Sequence, residues 1–118
     1  IERRLPNQHD GIYSLDVIEH IPPSDEHLYL GNLADSLTED GVLIIGSPSL
    51  ESQPYASPPS KEGHINCKSG SELKALLHNH FHNVFLFSMN DEVVHTGYSP
   101  MAHYLFAICC QKKAPSRP

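Results

Sequence analysis

The stretch Asp16-Val17-Ile18-Glu19-His20 sets two carboxylates and an imidazole at i, i+3 and i+4. If the chain passes into a helical turn there, all three side chains can meet at one rim. Oxygen and imidazole donors together suit Mg²⁺, Mn²⁺ or Zn²⁺. A bound metal is nonetheless not expected, because a simpler arrangement has Glu19 capping or pairing and His20 lining a pocket. His20 is also the expected catalytic residue: an ordinary imidazole, titrating near ~6.5, suits a general base for a hydroxyl or amine. A second histidine-rich stretch, His78-Asn79-His80-Phe81-His82, falls where a helix should end. Its three imidazoles would point in different directions and gain from the helix dipole, so a structural role is expected. His95, His103 and Tyr104 receive no role.

These residues need elements to position them. Gly11 to Asp16 reads as a strand apolar on both faces, as a central parallel strand should be. Pro22-Pro23 interrupts regular structure, and Ser24 is the expected N-cap of a helix with Asp25 and Glu26 in its first turn. Leu30, Leu33, Ala34 and Leu37 fall on one helical face. Gly41 is expected to take the positive-φ turn before a second strand, Val42 to Gly46. Strand, helix, strand at this spacing predicts a right-handed parallel crossover. Residues 47–68 carry Pro48, Pro54, Pro58 and Pro59 and predict a long loop. Ser69 and Glu72 form a capping box, and Leu73, Leu76, Leu77 and Phe81 mark the buried side of the helix they open. Val84 to Phe87 and Met101 to Cys110 are two further strands, with a short apolar element at Val93-Val94 between them. The expected organisation is one domain: loop 1–9, core 10–111, tail 112–118.

Length and composition limit the function. A chain of 118 residues supports one modest core. The 39% hydrophobic and 19% charged content fits a globular protein. Net charge is −6, and between residues 5 and 111 the only lysines or arginines are Lys61, Lys68 and Lys74. A nucleic-acid partner is not expected of so acidic a body. The basic residues Arg3, Arg4, Lys112, Lys113 and Arg117 are assigned to solvated ends. Three cysteines, two of them adjacent, do not read as a disulfide framework, and a cytoplasmic location is expected. No apolar run approaches the ~20 residues that cross a bilayer, so no membrane partner is expected.

The ordered set Leu15-Asp16-Val17-Ile18-Glu19-His20, Leu37-Thr38-Glu39-Asp40-Gly41 and Ile44-Ile45-Gly46-Ser47-Pro48, with the later helix and two final strands, resembles the C-terminal half of a class I S-adenosylmethionine-dependent methyltransferase. The resemblance implies an α/β fold. It would be a partial Rossmann-like sheet in the order four, five, seven, six, the last strand antiparallel, with flanking helices. It implies that Ser14, Leu15 and Asp16 face S-adenosylmethionine, and that Ser47, Pro48, Tyr55 and His64 border a small-molecule acceptor. Relatives with a similar acidic-x-x-Glu-His cluster hold a divalent metal, and one group adds a later histidine. The corresponding metal candidates here are Asp16, Glu19, His20 and His64, with an aspartate where those relatives have glutamate. The family's glycine-rich cofactor loop does not occur in these 118 residues, so this stretch alone is expected to transfer no methyl group. The alternative is a non-catalytic binding or assembly module. In either case the exposed first strand is expected to pair with a second copy of the chain.

Overall fold

The computed structural model describes residues 7–114. The chain forms β1 (His9–Leu15), α1 (Glu26–Asp35), β2 (Leu37–Pro48), α2 (Pro58–Gly63), α3 (Gly70–Leu77), β3 (Phe81–Asn90), β4 (Val93–His95) and β5 (Tyr104–Lys112), with short 3₁₀ turns between them. The strands make one mixed sheet in the order β1-β2-β5-β3-β4. Only β1 and β2 are parallel; the other three pairings are antiparallel.

The register decides which side chains share a face. Ile12, Leu43, Cys109 and Val84 form one cross-strand row, and Ser14, Ile45, Ala107 and Leu86 the next. These rows lie under α1 and α3, which contribute Tyr29, Leu30, Leu33, Ala34, Leu73, Leu76 and Leu77 to the same core. The opposite face carries the row Tyr13, Ile44, Ile108, Phe85. Of these, Tyr13, Ile44 and Phe85 are exposed.

This arrangement corrects the expected fold class. A Rossmann-like α/β unit is a largely parallel sheet with helices on both faces. Here the domain is mostly sheet, three of four strand pairings are antiparallel, helices are few, and one sheet face stays open. A fifth strand, β4, extends the sheet where only a short apolar element was expected.

Other boundaries move for local reasons. Ser24 does not cap α1; it lies in a 3₁₀ turn, Pro23–Asp25, and Asp25 precedes the helix without a side-chain cap. Leu37 is the first residue of β2, not the last of the helical face. Gly41 has no positive φ. It lies inside β2, at a bulge where the pairing jumps from His9–Leu37 to Gly11–Val42. A Cβ there would sit 2.8 Å from Leu37 Cδ2 and 3.0 Å from the Thr38 carbonyl oxygen, so close packing demands glycine. The loop expected over 47–68 holds a 3₁₀ segment, Leu50–Tyr55, and the short α2, each opened by a serine cap. His9 belongs to β1, and β5 continues through Lys112. Lys112 is not solvated: its Nζ donates to the carbonyls of Ala34 (3.1 Å) and Leu37 (2.6 Å), tying the end of α1 to the start of β2. Arg3, Arg4 and Arg117 lie outside the described residues. Among the described residues no helix is long and apolar enough to cross a membrane.

Candidate functional site

The parallel pair β1 and β2 ends at Leu15 and Pro48, and the segments beyond these two ends meet. After β1, Asp16 takes a left-handed conformation (φ 59°) and the chain enters a 3₁₀ turn, Ile18–His20. After β2 it runs through residues 49–68 and returns beside that turn. Asn66 fixes the return: its amide N–H donates to the Glu19 carbonyl at 2.9 Å, and its side-chain amide donates to the Ile21 carbonyl and to Glu26. Lys68 closes the network, 2.9 Å from the same Glu26 oxygen and 3.0 Å from Asn66 Oδ1. Burial alone would raise the Glu26 pKa, but the hydrogen bonds from Asn66 and Lys68 outweigh it and hold the carboxyl below its ordinary value.

The result is a cluster of Glu19, His20 and His64, with one ligand-competent atom of each within 4.8 Å of the others. Glu19 is 1% exposed, and neither carboxylate oxygen makes a hydrogen bond of good geometry. Burial pushes its pKa up, with a smaller push from Asp16 and opposing pulls from its own backbone amide, His20 and His64. The nearest cationic candidate is His20 Nε2, 3.6 Å from Oε2. Both imidazoles are held by their other nitrogen. His20 Nδ1 lies 2.6 Å from the Gly63 carbonyl, and His64 Nδ1 lies 2.9 Å from Gln53 Oε1. Each of these oxygens can only accept, so each Nδ1 donates, and in the neutral ring the lone pair sits on Nε2. The two rings meet edge to face with centroids 5.0 Å apart.

The remaining expected site residues spread out. The Ser14 hydroxyl shares a buried hydrogen bond with Tyr29 and points into the core. Leu15 lies on the open sheet face, against Gly46. Asp16 is engaged by Tyr104, whose hydroxyl hydrogen-bonds its side chain. Among these three residues only the backbone could face a common ligand. Ser47 is buried, with its hydroxyl turned to the Pro48 carbonyl. Tyr55 is 88% exposed and outside the cluster. His64 alone of the expected acceptor residues joins the cluster. It also lines a shallow depression of about 480 Å³ with Leu50, Gln53, Pro54, Lys61, Ile65 and Cys67. A second cavity of about 430 Å³, lined among others by His27, Asp35, His80 and Lys113, shares no residue with the cluster.

Tyr104, Gln53 and Gly63 had no role in the sequence reading. Tyr104 pairs with Pro48 and reaches diagonally over Gly46, whose missing side chain leaves room for the ring. A Cβ on Gly46 would stand 2.7 Å from Tyr104 Cε2. Gln53 and Gly63 act only through the folded loop and leave no signal in spacing.

Comparisons with protein-family models and with curated protein sequences find no match.

Proposed function

We propose that this chain is the acceptor-side part of an S-adenosylmethionine-dependent methyltransferase and transfers no methyl group by itself. The observation that carries the reading is the meeting of Glu19 and His20, on the turn after β1, with His64 of the 49–68 loop beyond the carboxyl ends of the two parallel strands. In sheets with parallel strands, ligands bind beyond those ends. The backbone of Ser14 to Asp16 would meet the methionine part of the cofactor. An acceptor in the depression beside His64 would be largely apolar, given Leu50, Pro54 and Ile65 in its lining. His20, with its Nε2 lone pair free, would take the acceptor's proton as the methyl group arrives. In-line positioning would supply much of the remaining rate.

The test is titration with S-adenosylhomocysteine, followed by backbone NMR. The reading predicts weak, millimolar binding that moves the amides of Ser14, Leu15, Asp16 and Ser47, and no turnover in a labelled-methyl assay. Shifts confined to the His27–His80 cavity, or none at all, contradict it.

A second reading, an assembly module, is favoured by the open sheet face and by β1 standing at the sheet edge. An unpaired edge strand is a template for another chain. It predicts a dimer in sedimentation at tens of micromolar that Tyr13→Lys disperses. A wild-type monomer contradicts it.

A further inference from the structure

We infer that the cavity between α1 and the turn from α3 into β3 binds a small phosphate monoester, with Lys113 and the His27–His80 pair on the phosphate and Asp35 and Asn79 on hydroxyls of the alcohol part. The cavity holds about 430 Å³, a volume within the range of small-molecule sites. His27, Gly31 and Asp35 fall at i, i+4 and i+8 and share one face of α1. The opposite wall is fixed by the sheet: the Lys113 amide donates to the His80 carbonyl at 2.8 Å and holds the end of β5 against the turn.

Three features point to this ligand. The first is charge. The chain carries a net charge of −6, yet the groups that set the field at His80 are cationic: burial, then His27 and Lys113, hold this imidazole below its ordinary pKa. The half-buried Lys113 has no carboxylate partner among the described residues. An anion between these groups relieves their repulsion. The second is the histidine pair. His27 Nδ1 lies 3.1 Å from His80 Nε2, so one ring donates to the other. Whichever donates, the neutral pair has one outer N–H, and a single added proton gives it two. With Lys113 that makes two positive charges, matched to a monoester of charge about −1.5 to −2. The third is space. Gly31 lies inside α1, where glycine costs helix stability relative to alanine. A Cβ there would meet no atom within 4 Å, so packing does not demand the glycine; its absent side chain keeps the cavity wall open.

The acceptors select the alcohol part. Asn79 donates its amide to the Ala75 and Leu76 carbonyls, which leaves Oδ1 to accept. The Asp35 carboxylate has no partner among the described residues. Hydroxyls satisfy both, whereas a second anionic group would meet Asp35. The groups facing the histidine pair are Lys113 and Asp35 at the cavity and Glu26 beside His27. The site shares no residue with Glu19, His20 or His64. S-adenosylhomocysteine carries no phosphate, so this site and the methyl-transfer reading fail separately.

The test titrates the chain with glycerol 3-phosphate, inorganic phosphate and glycerol, read by nitrogen-15 shifts of the His27 and His80 rings. Glycerol 3-phosphate should bind with a millimolar or lower Kd and shift both rings; inorganic phosphate should bind more weakly and glycerol should do nothing. Binding draws a proton onto the pair, so affinity should fall by up to ~10-fold from pH 7 to pH 8. Lys113→Met and His80→Gln should each weaken binding at least ~10-fold. Gly31→Leu should weaken it as much while keeping or raising the melting temperature, since leucine is the better helix former, so that loss cannot be put down to unfolding. His82→Ala should leave binding unchanged. No ring shift at millimolar glycerol 3-phosphate, equal binding of inorganic phosphate, affinity that does not fall with pH, or unchanged binding in Gly31→Leu or Lys113→Met overturns the site.

Discussion

Gly46→Ala is the substitution whose outcome follows most closely from distances. The new methyl would stand 2.7 Å from Tyr104 Cε2, 2.8 Å from the Tyr104 hydroxyl oxygen and 2.8 Å from Leu15 Cδ2. Ordinary contacts are about 3.5–4.0 Å, so the ring must retreat by roughly 1 Å. Tyr104 lies half-buried on the open sheet face, so it can swing away without disrupting the core. What it loses is its hydrogen bond to Asp16. A hydrogen bond to a charged group contributes about 1.5–3 kcal/mol, and the displaced Leu15 adds a few tenths. Gly46→Ala should therefore cost about 2–3 kcal/mol. Tyr104→Phe keeps the ring and removes only the hydroxyl, at a cost of about 1.5–2 kcal/mol. One bond can be lost only once, so the double variant should cost little more than Gly46→Ala alone, a coupling of at least about 1 kcal/mol. Urea denaturation of the four proteins measures all three quantities. Additive costs, or a neutral Gly46→Ala, would show that Tyr104 does not bridge β2 to Asp16.

Two further predictions concern titration. Glu26 is held below its ordinary pKa of 4.5, so the stability it supplies is present above that value and is lost as pH falls through the lowered pKa. Glu26→Gln should lose that part of the acid limb and about 1.5–3 kcal/mol at neutral pH; an unchanged acid limb in urea midpoints measured against pH would contradict the Asn66–Lys68 network. Burial pushes the Cys67 thiol up to about 11, with Glu19 adding to the effect, and pushes Cys109 up to about 12. Iodoacetamide near pH 8 should label Cys110 first and leave Cys67 and Cys109 slow, as mass spectrometry of the digested chain would report; early labelling of the half-buried Cys67 would contradict the raised pKa that burial and Glu19 give it.

Elements that depend on local physics were legible from local signals. The Ser69–Glu72 capping box is present in α3, and Leu73, Leu76 and Leu77 are its buried face. Leu30, Leu33 and Ala34 are buried on α1 as their spacing requires. The expected strands Val42–Gly46 and Val84–Phe87 fall inside β2 and β3; Gly11–Asp16 overruns β1 by one residue, and Met101–Cys110 begins three residues before β5, with Met101 in a 3₁₀ turn, Ser99–Met101. Fold class failed because a strand apolar on both faces implies cover on both, and here Ile44, Phe85 and Tyr13 remain exposed. Gly41 failed because a glycine can serve close approach as well as positive φ. At the site, the i, i+3, i+4 spacing brought Glu19 and His20 together, but Asp16 turns away in its left-handed conformation toward Tyr104. That turn depends on a strand 88 positions later, which no local pattern carries. His64 entered only through a family resemblance, and its position depends on Asn66, Lys68 and Glu26 holding the loop.

The central claim is that the segments beyond β1 and β2 build one working site around Glu19, His20 and His64. The most direct measurement is a titration of the chain with S-adenosylhomocysteine followed in backbone NMR spectra. The account predicts shifts at the amides of Ser14, Leu15, Asp16 and Ser47 and around Glu19, His20 and His64, the segments that meet beyond β1 and β2. Shifts confined to the residues around His27 and His80, or none at all, would contradict it.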